Sequence, residues 1–233
     1  MVDQKALIVA LDYDDMRSVL QLTEQLDPSV CRVKVGKQLF TRVGPTAVEQ
    51  LVNQGFDVFL DLKFHDIPNT VAQAVVAAAD LGVWMVNVHA SGGSSMMKAA
   101  CQALVGRQHR PLLTAVTVLT SMAESDLAEV GSQGGALARV VDLAKLAEAA
   151  GLDGVVCSAQ EAAELRKCVG PEFALVTPGI RLKGDAAGDQ KRVVDPATAV
   201  AAGADYLVMG RSITGAEDPS AVIKRILSSL QPI

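Results

Sequence analysis

The stretch DVFLDLKFHDIPNTVAQAVVAAADLGVWMVNVHA, residues 57–90, changes its period twice. Residues 57–64 alternate as a strand does, with Val58, Leu60, Leu62 and Phe64 on one side and Phe59, Asp61 and Lys63 on the other. An Ala- and Val-rich segment with helical spacing follows, and after Gly82 the apolar run reads as a strand again. Strand, helix and strand in that order predict a βαβ unit with parallel strands.

The same alternation runs the length of the chain. Strand candidates fall at 6–12, 32–37, 57–64, 84–90, 112–120, 154–158, 174–178 and 206–211, with helical segments filling the gaps. Asp14 and Asp15 open the first helix and Pro45 the second, while Gly55, Gly82 and Gly151 follow helical ends. Eight β/α steps in 233 residues, with no linker or low-complexity segment, predict closure into a (β/α)₈ TIM barrel rather than an open doubly wound sheet. The chain is expected to be one α/β catalytic domain over residues 1–233. Half of it is apolar but only 3% aromatic, so the core must be built from Val, Leu, Ile and Ala.

Composition also removes several classes of function. The mean hydropathy is +0.29, and residues 71–88 are the most apolar stretch, yet Gln73, Asp80, Gly82 and Asn87 interrupt it. A spanning helix needs about 20 nearly uninterrupted apolar residues, so a buried helix-to-strand step is the better reading and no membrane partner is expected. Asp3, Gln4 and Lys5 follow Met1 with no apolar leader behind a basic start, which makes a cytoplasmic location the expectation. A net charge of −5 without a basic block makes nucleic acid a poor partner. Cys31, Cys101, Cys157 and Cys168 are far apart, with no C-x-x-C pair and no His at metal-ligand spacing, so they read as reduced packing residues and no metal site is expected.

Chemistry in such a barrel gathers where the strands end. Asp12 ends the first apolar run, Lys34 interrupts the second, Asp61 and Lys63 close the third, and Gly210-Arg211 closes the eighth. Alternation turns Lys34 inward between Val33 and Val35, and Asp12 inward with Ile8 and Ala10. Four ionisable side chains from three neighbouring strands are therefore expected to converge in the interior. A structural salt-bridge cluster would be the plain alternative. Each close pair gains only about 4 kcal/mol at an effective dielectric near 20, desolvation takes much of that back, and apolar replacements are often neutral or stabilising. Four buried charges thus point to chemistry. A Lys flanked by carboxylates is held as ammonium, which suits a proton donor rather than a Schiff-base amine. Asp61, at the same locus, could repel an anionic substituent that the reaction removes.

The run Asp61-Leu62-Lys63-Phe64-His65-Asp66-Ile67-Pro68-Asn69-Thr70 closely resembles the signature of the bacterial-type orotidine 5′-phosphate decarboxylases. The resemblance extends through Ala10-Leu11-Asp12, Val116–Ser121, Thr177-Pro178-Gly179-Ile180-Arg181, Gly188-Asp189-Gln190 and Met209-Gly210-Arg211. Leu182-Lys183 departs from it, since many relatives have a proline after the arginine, and the departure removes a backbone restraint from the loop after the seventh strand.

The resemblance implies decarboxylation of orotidine 5′-monophosphate to uridine 5′-monophosphate (UMP), the last step of de novo pyrimidine nucleotide synthesis, with no metal and no cofactor. It implies that Asp61 and Lys63 face the reacting carbon, that Lys63 delivers the proton, and that Lys34 hydrogen-bonds in the same charged chain. It further implies a homodimer in which Asp66 and Thr70 reach the neighbouring subunit's site. Asp12 would bind the ribose and Thr120 the edge of the pyrimidine, while Pro178, Arg181, Gln190, Gly210 and Arg211 would close over phosphate and base. Read alone, Arg211 would be a solvated surface arginine; Gly210, ahead of a helix expected to start at Ser212, favours an anion site.

His65 reads as a residue that orients its loop. His89 is either a pocket wall or a helix-capping partner, and His109 has no assignment. The related sugar-phosphate decarboxylases and aldolases also use an Asp-x-Lys-x-x-Asp arrangement, typically with a divalent metal, but Pro68, Asn69 and Thr70 after the second Asp fit the nucleotide enzyme better. The other alternative, a non-catalytic nucleotide-binding protein, would not need Lys34, Asp61, Lys63 and Asp66 together.

Overall fold

The structure is a computed structural model that describes residues 5–132, 134–182 and 193–230. Eight strands, β1 (Leu7–Ala10), β2 (Arg32–Gly36), β3 (Val58–Phe64), β4 (Met85–His89), β5 (Leu112–Val116), β6 (Gly154–Val156), β7 (Ala174–Thr177) and β8 (Tyr206–Met209), form a closed barrel in sequence order. All neighbours are parallel, and β1 closes the ring on β8 through Leu7↔Leu207 and Val9↔Met209. The expected (β/α)₈ barrel is what the chain forms.

Alternation divides the core into two parts. Ile8, Ala10, Phe59, Met85, Val116, Val156, Val176 and Val208 point inward and fill the barrel. Residues of opposite parity, among them Val9, Val33, Val35, Val58, Leu60, Val86 and Val88, face the surrounding helices in a larger continuous cluster. Full burial of each such side chain is worth about 1.5–3 kcal/mol, so a one-residue slip in any strand would expose its whole outward set. At the amino-terminal end of the barrel, the Arg32 guanidinium stacks 4.1 Å from the Trp84 ring centre and bonds the Lys5 carbonyl. Ring packing there partly compensates for the scarcity of aromatics elsewhere.

Asp15 caps the first helix, Met16–Thr23, by accepting the Ser18 N–H, as a residue at that position should. Residues 68–80 form one helix, Pro68–Asp80, with the proline in its first turn. Gly82 then takes a left-handed φ of 78° that lets the chain turn directly into β4. Among the described residues no helix is long and apolar enough to cross a membrane.

Seven of the eight strands end one to four residues before the expected bound, and two of these differences have consequences. Lys37 opens a helix, Lys37–Val43, instead of ending β2, so Pro45 introduces a further helix, Thr46–Asn53. The earlier helix has Gly36 as its N-cap and no side-chain cap bond, so it carries no start signal in the sequence. After Val116 the chain leaves β5, and Val118, Leu119 and Thr120 line a cavity at the barrel mouth instead of extending the strand.

Candidate active site

The carboxyl ends of the strands surround a cavity of about 700 Å³. Asp12, Lys34, Asp61, Lys63, Thr120 and Pro178 line it together with Arg181, Gly210 and Arg211. Within it runs a chain of alternating charge. Lys34 Nζ lies 3.3 Å from Asp12 Oδ1 and 3.4 Å from Asp61 Oδ2, and Lys63 Nζ lies 2.5 Å from Asp61 Oδ1. Two carboxylates and two ammonium groups balance, so the cluster carries no net charge.

Burial falls off along the chain. The side chains of Lys34 and Asp61 are 10% and 13% exposed, Lys63 is 23% exposed, and Asp12 is 63% exposed. The expectation of four buried charges is therefore corrected: Asp12 stands two residues past the end of β1, on the rim. Burial disfavours the charged form of Lys34, but the Asp61 and Asp12 carboxylates outweigh it and raise its pKa. Burial likewise works against the Asp61 carboxylate, yet Lys34, Lys63 and an Asn87 hydrogen bond hold its pKa down to about 2. Asp61 is thus ionised at any physiological pH.

Lys63 reaches this position through an irregularity in β3. The register moves from Leu60↔Val86 to Phe64↔Val88, so four residues of β3 span two of β4. Within that bulge Lys63 has a φ of 54°, the only left-handed non-glycine among the described residues. Such a conformation costs a residue with a Cβ about 1–2 kcal/mol. Leu62 and Phe64 still pack outward, and Asp61 and Lys63 still line the cavity.

Asn87, missed as a site residue, hydrogen-bonds two residues of the bulge. It is fully buried on β4, accepts the Lys63 backbone N–H on Oδ1 at 2.8 Å, and donates from Nδ2 to Asp61 Oδ1 at 2.8 Å. A signal was present: parity with Met85 and His89 turns Asn87 inward, and an amide inside a Val- and Met-rich strand must find partners.

The remaining expected residues divide. Arg181 is buried, donates from Nη1 to the Ile180 carbonyl at 2.9 Å, and leaves Nε without a partner among the described residues. Arg211 is exposed and starts the short helix Arg211–Thr214 with Gly210 as its N-cap, one residue earlier than expected. Asp66 and Thr70 are exposed and do not line the cavity; Asp66 Oδ1 accepts the Ile67 N–H. Gln190, with Lys183, Gly188 and Asp189, lies outside the described residues.

His89 fits neither of its two expected roles. It makes no side-chain cap bond and does not line the cavity, but packs 5.5 Å from the His65 ring. Burial, with the nearby positive charges of His65, Lys37 and Lys63, pushes its pKa down to about 4, so it is neutral at pH 7. Among the described residues, no three His, Cys, Asp or Glu side chains are grouped to hold a metal ion. The four cysteines are free, and burial pushes the Cys31 and Cys101 thiols up to about 12 and 11.

An eightfold parallel barrel whose strand ends carry a buried carboxylate–ammonium pair, open to a ligand-sized cavity, defines a barrel enzyme with acid–base chemistry at its mouth. Residues 5–226 match the model of the orotidine 5′-phosphate decarboxylase / HUMPS family. The chain belongs to that family and is by class a carboxy-lyase. It is 58% identical over 230 residues to the orotidine 5′-phosphate decarboxylase of Alcanivorax borkumensis, covering 99% of this chain and 100% of that one. It is 59% identical to the enzyme of that name from Sodalis glossinidius, covering 97% of this chain and 90% of the other. The crystal structure of orotidine 5′-phosphate decarboxylase from Lactobacillus acidophilus superposes with a TM-score of 0.89 at 38% identity, over 99% of this chain and 100% of that one.

Proposed function

We propose that residues 1–233, acting as one catalytic domain, convert orotidine 5′-monophosphate to UMP and CO₂ without a metal or cofactor. The observation that carries this reading is the Asp12–Lys34–Asp61–Lys63 chain opening into the cavity. Cleavage of the bond between C6 and its carboxylate leaves an electron pair in the plane of the ring, orthogonal to the π system, where resonance cannot spread it. Fixed positive charge must stabilise it. The Lys63 ammonium supplies that charge and transfers its proton to C6, giving the product and a neutral amine that regains a proton from solvent. Asp61, ionised and already faced on both oxygens by lysines, anchors Lys63 and lies beside the carboxylate that departs.

The substrate's phosphate supplies binding energy away from the reacting bond. Arg211, Gly210, Arg181 and Gln190 are assigned to phosphate and base closure with Pro178, Thr120 to the pyrimidine edge, and Asp12 to the ribose. A guanidinium at the cavity rim can grip phosphate with two parallel bonds, and that energy offsets the cost of holding the substrate carboxylate near Asp61.

The active form is a homodimer, with Asp66 and Thr70 acting in the partner's site. Support comes from the surface: all of residues 65–70 are exposed in the single chain, including Ile67 at 68%, although they adjoin the charged centre in sequence. A cytoplasmic location accords with the four free cysteines.

The test is incubation with orotidine 5′-monophosphate, following the ultraviolet change as orotate becomes uracil. Conversion is expected, undiminished in a strong chelator. Absence of conversion overturns the reading, and loss of activity in chelator overturns its metal-free form.

A further inference from the structure

We propose that Asn87 is a positioning residue for the reaction, holding through one amide both the Asp61 carboxylate and the backbone that presents Lys63. The proposal rests on the decarboxylase reading above and adds a residue that the charged chain alone does not include.

The geometry is specific. In a regular parallel ladder the Lys63 N–H would face β2, as the Asp57 carbonyl does, but the shift between Leu60 and Phe64 turns it toward β4. There the Asn87 side-chain carbonyl accepts it at 2.8 Å. Its amide nitrogen donates, also at 2.8 Å, to Asp61 Oδ1, the oxygen that Lys63 Nζ reaches at 2.5 Å. Both partners fix the amide's orientation. Turned over, Asn87 would set its oxygen against a carboxylate and its NH₂ against a backbone N–H.

Because Asn87 is fully buried, no solvent molecule replaces either bond without the strand opening. The left-handed Lys63 backbone therefore depends on a side chain of the next strand, and so does the rotation of the Asp61 carboxylate. Asn87 is not among the residues that line the cavity, so it is not expected to touch the nucleotide. Its loss should lower kcat through misplacement of Lys63 while leaving nucleotide affinity largely intact.

Two substitutions test this. Asn87→Leu removes both bonds; Asn87→Asp keeps the acceptor for Lys63 N–H but sets a second carboxylate against Asp61. The groups around Asp61 are Lys34 from β2 and Lys63 from β3, with Asp12 on the far side of Lys34 and His89, His65 and Lys37 more distant. Two facing carboxylates repel when both are ionised and hold one shared proton as pH falls. The ratio of Asn87→Asp to wild-type kcat should therefore rise as pH is lowered from about 8 to about 5.

Wild type and both variants are assayed for kcat, and for Kd of UMP, across that range. For Asn87→Leu, kcat should fall on the order of 10²-fold while Kd stays within about threefold. Wild-type kcat in both variants overturns the assignment. So does a flat pH ratio in Asn87→Asp accompanied by parallel loss of kcat and nucleotide affinity, which is the behaviour of a residue that only supports the fold. If Asn87→Leu does not fold, the isosteric Asn87→Asp decides through its pH ratio. Wild type that binds UMP but turns over no substrate instead overturns the decarboxylase reading and is distinguishable from every outcome above.

Discussion

Replacing Asp61 by Asn removes the middle carboxylate of the charged chain and leaves Asp12, on the rim, as the one carboxylate ion-paired with Lys34 or Lys63 among the described residues. The size of the effect follows from the carboxyl's environment. Its pKa is lowered from an ordinary value of 3.8 to about 2. At about 1.4 kcal/mol per pH unit, that depression corresponds to roughly 2 kcal/mol of folding stability at neutral pH. The side chain is 13% exposed, so solvent screening takes little from this figure. Because the folded value lies below the unfolded one, the contribution is complete only well above 3.8, from about pH 5 upward, and disappears as pH falls through about 2. About half should be lost near pH 3. Urea unfolding of wild type and Asp61→Asn at a series of pH values checks this. The wild-type advantage should be constant from neutrality to about pH 5 and shrink below it. An advantage that stays level through the acid range would refute the claim that Lys34 and Lys63 hold Asp61 ionised.

Substitution of Arg211 by Ala should weaken UMP by about 10- to 100-fold while changing uridine affinity little, measured by calorimetry with both ligands. Equal weakening of the two would remove Arg211 from the phosphate site. Mixed subunits of inactive Lys63→Ala and inactive Asp66→Asn should recover up to about a quarter of wild-type activity per site, since a heterodimer rebuilds one intact centre. No recovery after demonstrated subunit exchange would show that Asp66 does not act across an interface.

The barrel was legible because its determinants are periodic and local. Val58, Leu60 and Phe59 declare their faces by alternation, and Gly82 and the helix Pro68–Asp80 mark where the period changes. The meeting of Lys34, Asp61 and Lys63 followed from the same parity and needed no knowledge of distant contacts. What could not be read depends on partners far along the chain. The left-handed Lys63 hydrogen-bonds the side chain of Asn87, 24 residues away, and strict alternation reached the correct face without revealing the bulge. Asp12 faces the cavity as its parity predicted, but extending β1 too far hid its exposure, which reflects where the strand stops. The helix Lys37–Val43 escaped for a different reason: a glycine N-cap leaves no side-chain signal.

The proposed chemistry depends most on Lys63, as the group that would stabilise and protonate the electron pair left on C6. Turnover of orotidine 5′-monophosphate by Lys63→Ala, measured beside wild type together with UMP affinity, tests it directly. Combining proton transfer with lost charge stabilisation, kcat should fall by about 10⁴-fold or more while UMP still binds. A Lys63→Ala enzyme that binds nucleotide and turns over at close to the wild-type rate would contradict it.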